Sequence, residues 1–228
     1  MNLMKSFFVT GTDTDAGKTV AAKALLDYFA GQRLSTLAMK PVASGCFNQQ
    51  GRWVNDDALA LREAMTMDCD YSLTNPYSFE PAIAPHIAAT EENIEITEQV
   101  LVGAFNDVRA LKPDVVVIEG AGGWELPLSD TLSMPAFVKQ TNAEVVLVVG
   151  LKLGCLNHAV LTERAIRADG MRVAGWVAVD TQSREMPYRE QNIATLTRRL
   201  TSPCLGILPY TPDWRGRDLS TYINDFCR

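Results

Sequence analysis

A small set of positions in this chain has the residue types and surroundings for phosphate chemistry: Lys18 with Thr19, Lys40, Asp57 and Glu119. Lys18 and Thr19 close the triplet Gly17-Lys18-Thr19, which follows a turn rich in Gly, Thr and Asp. A lysine at the head of a helix can reach β- and γ-phosphates, and a threonine hydroxyl beside it suits Mg²⁺. Backbone N–H groups of such a turn, with the positive end of the helix dipole, cradle the phosphate oxygens. Glu119 ends the β-branched run Asp114 to Ile118 and opens Gly120-Ala121-Gly122-Gly123. An acid at the tip of a buried strand downstream of a phosphate loop suits a magnesium ligand, direct or through water. The plain alternative makes it the last strand residue before a glycine turn. Asn55, Asp56 and Asp57 open a helical pattern, where acids either cap the helix or hold the metal.

The loop departs from the common pattern. Five residues separate Gly11 from Gly17, one more than usual, so Thr12 stands where the first glycine is expected. What separates this loop from a chance Gly-Lys-Thr is its flanks. Phe7, Phe8 and Val9 read as a strand, while Val20, Ala21, Ala24, Leu25, Tyr28 and Phe29 recur at helical spacing up to Gly31. Nucleotide binding is the expectation.

Other elements must hold these residues in place. Ser35 to Met39 reads as a strand leading into Lys40-Pro41-Val42-Ala43-Ser44-Gly45, a loop that puts Lys40 and Ser44 at a strand's carboxyl end. Lys18 and Lys40 are both expected at a solvent-accessible site. Asn55 to Met65 and Thr97 to Leu111 read as helices, with Val100, Leu101, Ala104, Phe105 and Val108 on one side of the second. Residues 70–93 are Pro-rich and read as irregular; His86 within them is more often structural than catalytic. Glu144 to Val149 is a second buried strand, followed by a Gly-bearing turn through Asn157 and a helix from Ala159 to Ala168. Val173 to Val179, Tyr188 to Leu200 and Cys204 to Leu208 read as strand, helix and strand, and 213–228 as polar with a weakly helical tail. Strands alternating with helices throughout imply an α/β P-loop fold in one domain over 1–228, a mostly parallel sheet with helices on both faces.

Composition narrows the class. With 228 residues, 47% hydrophobic and 21% charged, the chain can build a sizeable core. A net charge of −6 speaks against nucleic acid or anionic membrane as the main partner. Five cysteines without a Cys-x-x-Cys, and only two histidines, disfavour structural zinc and fit reduced thiols in a cytoplasmic enzyme. The start, MNLMKSFF, runs straight into the first strand, leaving no expected signal peptide, and no apolar run approaches the length of a membrane span.

The order and wording of the motifs resemble one enzyme family, the dethiobiotin synthetases. The match runs through FFVTGTDTDAGKTV, MKPVASG, NDDALAL, NPYSFEPAIAPHIAA, VVVIEGAGGW, PLSD, VVLVVGLKLGCLNHA, VAGWVAV and LGILPY, covering most of the chain. The resemblance implies an ATP-dependent ligase that joins CO₂ to 7,8-diaminopelargonate. One amine becomes a carbamate, ATP phosphorylates it, and the second amine closes the ring with release of phosphate. It implies Mg²⁺ held by Thr19, Asp57 and Glu119, and ATP along Asp15, Ala16, Gly17, Lys18, Thr19 and Val20. Asp57, Glu119, Gly120, Ala121 and Gly122 would join them, with Val179, Asp180, Leu208, Pro209 and Tyr210. Lys18 and Lys40 would supply catalytic charge, while Thr14, Lys40, Ser44 and Gly122 meet the substrate. It further implies a homodimer whose site is completed across the interface by Leu153 and Asn157, the latter alternatively a plain helix cap.

One departure bears on selectivity. Where the family shows Asn in GWVAN, associated with reading adenine, this chain has Val179 and then Asp180. Valine cannot make the paired donor–acceptor contacts of an amide. Asp15 stands where glutamate is frequent. A competing class is the partitioning-type ATPase switch, whose signature lysine precedes the loop lysine by five positions; that place is Asp13.

Overall fold

In the computed structural model residues 4–224 are described. In chain order these run β1 (Lys5–Gly11), α1 (Lys18–Gly31), β2 (Thr36–Met39), β3 (Val42–Ala43), β4 (Phe47–Gln49) and β5 (Arg52–Val54). Next come α2 (Asp56–Ala64), α3 (Tyr71–Thr74), β6 (Tyr77–Ser78), α4 (Pro85–Glu91), α5 (Glu98–Ala110) and β7 (Val115–Glu119). The chain continues with α6 (Met134–Thr141), β8 (Glu144–Gly150), α7 (Cys155–Ala168), β9 (Val173–Val179), α8 (Arg189–Arg199) and β10 (Cys204–Leu208).

Six strands form one parallel sheet in the order β10-β9-β8-β1-β7-β2. Side chains alternate between its faces, as the pleat requires. Phe7 and Val9 of β1 pack with Ala21, Leu25 and Phe29 of α1, the rings of Phe7 and Phe29 stacking at 5.3 Å. Phe8, between them, turns to the opposite layer with Leu101 and Phe105 of α5 and Phe137 of α6. Under β8 and β9, Leu147, Val149 and Trp176 meet Cys155 and Ala159 of α7 and Leu196 of α8. Each large side chain so buried contributes about 1.5–3 kcal/mol.

Strand order changes direction around β1. The chain steps outward from β1 to β2, returns to insert β7 between them, then places β8, β9 and β10 on the other side. At such a switch the loops at the carboxyl ends part and leave a crevice.

Several local expectations need correction. Residues 70–93 are not irregular throughout, since α3, β6 and α4 lie within them. α4 begins with Pro85, where a missing N–H costs nothing. The helix expected from Ala159 starts at Cys155, after Gly154 with φ 95. Asn157 is thus not the cap; the glycine is, and it reads as a turn in sequence because that backbone region favours glycine. Helix α6 and the antiparallel pair β4–β5 were not anticipated; Pro135 at the start of α6 looks like a breaker but sits where proline is tolerated. The tail expectation holds only in short 3₁₀ turns at Trp214–Gly216 and Ser220–Tyr222, and its last positions, 225–228, lie outside the described residues.

Candidate active site

The turn after β1 sits at the switch point and delivers Lys18 into the first turn of α1. Gly17 takes φ 89, and a Cβ there would fall 2.6 Å from Val179 Cγ1. Both the backbone and the neighbour therefore demand glycine. Gly120 is constrained by contact alone, since its Cβ would meet the Phe8 ring at 2.8 Å. The phosphate loop and the Glu119–Gly123 turn are thus pressed against the sheet.

Lys40 extends from the end of β2 into the same crevice and is 4% exposed. Its ammonium donates to Glu119 Oε1 at 2.6 Å, to Asp57 Oδ2 at 3.0 Å and to the Gly120 carbonyl at 3.3 Å. Burial by itself would lower the Lys40 pKa, but the charges of Glu119 and Asp57 and their hydrogen bonds outweigh it and hold it above the ordinary lysine value. Lys18, 8% exposed, donates to the Asp13 carbonyl at 3.1 Å. Its pKa is lowered, first by burial and then by the like charge of Lys40. Both lysines line the cleft, as expected, but their side chains are largely buried in it. Both are held in the floor of the crevice, where charge acts through little water.

Thr19 Oγ donates to Glu119 Oε1 at 3.0 Å. Glu119 is fully buried, and its Oε2 has no protein partner. Burial raises its pKa against the opposing pull of Lys40. Asp57 is held low; burial opposes this, but the charge and hydrogen bond of Lys40 prevail. Asn55 accepts from the backbone N–H groups of Asp57 and Ala58, so the capping role falls to Asn55 and leaves the Asp57 carboxylate facing the crevice. An orphaned buried carboxylate oxygen, a second carboxylate and a hydroxyl form a hard-oxygen set that fits Mg²⁺, with room for phosphate oxygens or water to complete the shell.

These residues line one cleft of about 850 Å³ along the carboxyl edge of the sheet. Thr14, Asp15, Gly17, Lys18, Thr19, Val20, Lys40, Ser44, Asp57, Glu119, Ala121 and Gly122 all face it. So do Val179, Asp180, Pro209 and Tyr210, where β9 and β10 end. Ala16 and Leu208 are buried beneath, outside the lining, and Gly120 contributes its carbonyl to Lys40. Leu153 (97% exposed) and Asn157 lie on the outer surface where α7 begins, away from the cleft of this one chain. That surface is joined to the phosphate loop by Lys152 and Asp13, 2.9 Å apart. His86 is half-buried in α4 and does not line the cleft; Tyr188 is exposed at the start of α8.

Sequence reasoning missed the apolar lining contributed by Ala82, Ile83 and Leu126, and also Trp214. A hydrophobic residue in a loop carries no period, so nothing local marked Ile83. Trp214 was legible only as the one large aromatic in a polar tail between Tyr210 and Tyr222.

Comparison with known proteins places the chain in a family. Residues 5–217 match the family model described as an AAA domain, AAA_26. The chain is 50% identical over 221 residues to "ATP-dependent dethiobiotin synthetase BioD" of Idiomarina loihiensis, covering 97% of this chain and all of the relative. It is 48% identical over 222 residues to the protein of that name from Vibrio vulnificus, covering 97% of each. Among solved structures, a ParA family ATPase from Chlorobium tepidum superposes with a TM-score of 0.56 at 12% identity, covering 97% of this chain and 91% of that one. At that identity the likeness is one of fold.

Proposed function

The chain belongs to the ATP-dependent dethiobiotin synthetases, and from that premise we propose how its own residues carry out the ligation. It is a ligase of biotin biosynthesis that uses ATP to form dethiobiotin. The observation that carries the reading is Lys40 held between Glu119 and Asp57 in the same cleft as the phosphate loop.

Lys18 and the turn N–H groups would bind the triphosphate, with the γ-phosphate directed toward Lys40. The substrate is 7,8-diaminopelargonate with CO₂, and its carbamate would sit by Thr14 and Ser44, at the Lys40 side of the cleft. Carbamate oxygen attacks the γ-phosphorus, ADP departs, and the second amine then attacks the carbamate carbon and expels phosphate. Lys18 and Lys40 act where negative charge grows, and removing such a group typically costs 10²–10³ in rate. Thr19, Asp57 and Glu119 would hold Mg²⁺, which would supply positive charge to offset that of the phosphates. The aliphatic chain of the substrate fits the wall of Ala82, Ile83 and Leu126.

Leu153 and Asn157, exposed on the α7 side, would serve the substrate's distal carboxylate in the site of a second copy, making the working unit a homodimer. We place the enzyme in the cytoplasm on its thiols: Cys46, Cys69, Cys155 and Cys204 are all free. No helix among the described residues is long and apolar enough to cross a membrane. The partitioning-type switch is supported by fold alone, and Asp13, at its signature-lysine position, is ion-paired to Lys152.

The deciding experiment incubates the protein with diaminopelargonate, bicarbonate, Mg²⁺ and ATP and follows dethiobiotin by mass with ADP release. Dethiobiotin appearing only with all four components is expected. Substrate-independent ATP hydrolysis without that product would replace the ligase reading with the switch.

A further inference from the structure

We propose that Trp214 is the platform on which the nucleotide base lies, and that Arg215 positions it by tying its loop to the N-terminus of α2. This rests on the reading of the cleft as an ATP site. The sheet order gives the cleft two arms on either side of the phosphate loop. Toward β7 and β2 lie Lys40, Asp57 and Glu119, the charges that a transferring γ-phosphate requires. A triphosphate that points its γ-phosphate that way must send its base toward the ends of β9 and β10.

That second arm is short of free polar side chains. Val179 is packed under Gly17. Asp180 is buried, and its carboxylate is taken by Arg189 through contacts of 2.7–3.0 Å. The Thr211 hydroxyl donates to the Pro209 carbonyl at 3.0 Å, leaving Thr181 as a further hydroxyl on the wall. Pro209, Tyr210 and Trp214, two of them aromatic, also line the cleft. A wall of this kind binds a base by its π-face, which every base shares, and reads its edge weakly.

Trp214 is also held in place. It is half-buried against the core layer that contains α1, while still lining the cleft. The Arg215 guanidinium lies 5.8 Å from the Trp214 ring centre and donates to the Asp56 carbonyl at 2.9 Å and to Asp56 Oδ1 at 3.3 Å. Behind it, Lys23 donates to the Arg217 carbonyl at 2.6 Å, and Asp27 accepts from the Leu219 N–H at 2.8 Å. The loop after β10 is therefore fastened to α1 and to the residue preceding Asp57. Base arm and phosphate arm share one support.

The test measures binding of ATP and of inorganic tripolyphosphate, each with Mg²⁺, to the whole protein and its variants. Trp214→Ala should weaken ATP about tenfold to a hundredfold, the worth of one stacked base, and leave tripolyphosphate unchanged. Trp214→Phe should recover most of the loss. GTP and CTP should weaken with Trp214→Ala to the same extent as ATP. Arg215→Ala should raise the KM for ATP severalfold with kcat at saturation unchanged, and Arg215→Lys should restore part of it. Unchanged ATP affinity in Trp214→Ala, or equal weakening of ATP and tripolyphosphate, overturns the platform alone. A wild-type protein that binds neither ligand overturns the nucleotide reading and the platform with it.

Discussion

Lys40 joins the proposed chemistry to the fold. Its ammonium is buried on Glu119, so removing it leaves an uncompensated buried carboxylate, and under the proposed mechanism it would also strip charge from the reacting phosphate. Lys40→Ala should lower turnover by about 10²–10³ and destabilise the fold by about 3–5 kcal/mol. Lys18→Ala, which loses a hydrogen bond to the Asp13 carbonyl, should lose comparable turnover with a much smaller change in Tm. A Lys40→Met, Glu119→Gln double variant should recover stability and remain inactive. Recovered activity in that variant would remove Lys40 from the mechanism. At Val179, replacement by Asn should widen the lead of ATP over GTP, CTP and UTP in kcat/KM by about tenfold. Identical triphosphate ratios in wild type and Val179→Asn would show that this position does not read the base.

Among elements, the turn between α8 and β10 is held from outside itself. Glu163 of α7, 4% exposed, accepts from the N–H groups of Thr201 and Ser202, each at 2.9 Å, and from the Thr201 hydroxyl at 3.2 Å. Burial would raise its pKa, but the hydrogen bonds from Ser202 and Thr201 and from Arg167 hold it below the ordinary 4.5. A carboxylate held low in the folded state stabilises fully above its unfolded pKa and loses that contribution as pH falls through the folded value. Thermal unfolding of the wild type should therefore lose stability below about pH 4.5, and Glu163→Gln should flatten part of that fall. At neutral pH the same substitution should cost about 1.5–3 kcal/mol, the usual worth of hydrogen bonds to a charged group. An unaltered pH dependence of Tm in Glu163→Gln would show that this carboxylate does not carry the effect.

At the scale of the whole molecule, the question is whether one chain holds a full site. Leu153 is almost wholly exposed beside a loop joined to the phosphate turn, which suits a surface that meets another copy. If Asn157 serves a neighbour's cleft, inactive Lys18→Ala and inactive Asn157→Ala proteins should regain activity when mixed, because each hybrid dimer carries one intact composite site. Residual activity that merely adds, with subunit exchange demonstrated, would return the site to a single chain.

The sequence by itself determined the alternation of strands and helices, because burial on both faces of a parallel sheet demands continuous apolar runs such as DVVVI and EVVLVV. It also determined the phosphate loop, whose glycine, lysine and threonine act within one turn. Helix α6 and the true start of α7 escaped it, since Pro135 and Gly154 are ambiguous until the backbone around them is known. Only the tertiary structure decided that Lys40, Asp57 and Glu119 meet: Lys40 and Glu119 are 79 positions apart, and their contact follows from β7 inserting beside β2. It alone decided that Trp214, far along a polar tail, comes back to the cleft, because the ties of Arg215 to Asp56 and of the Arg217 carbonyl to Lys23 leave no local trace in the order of residues.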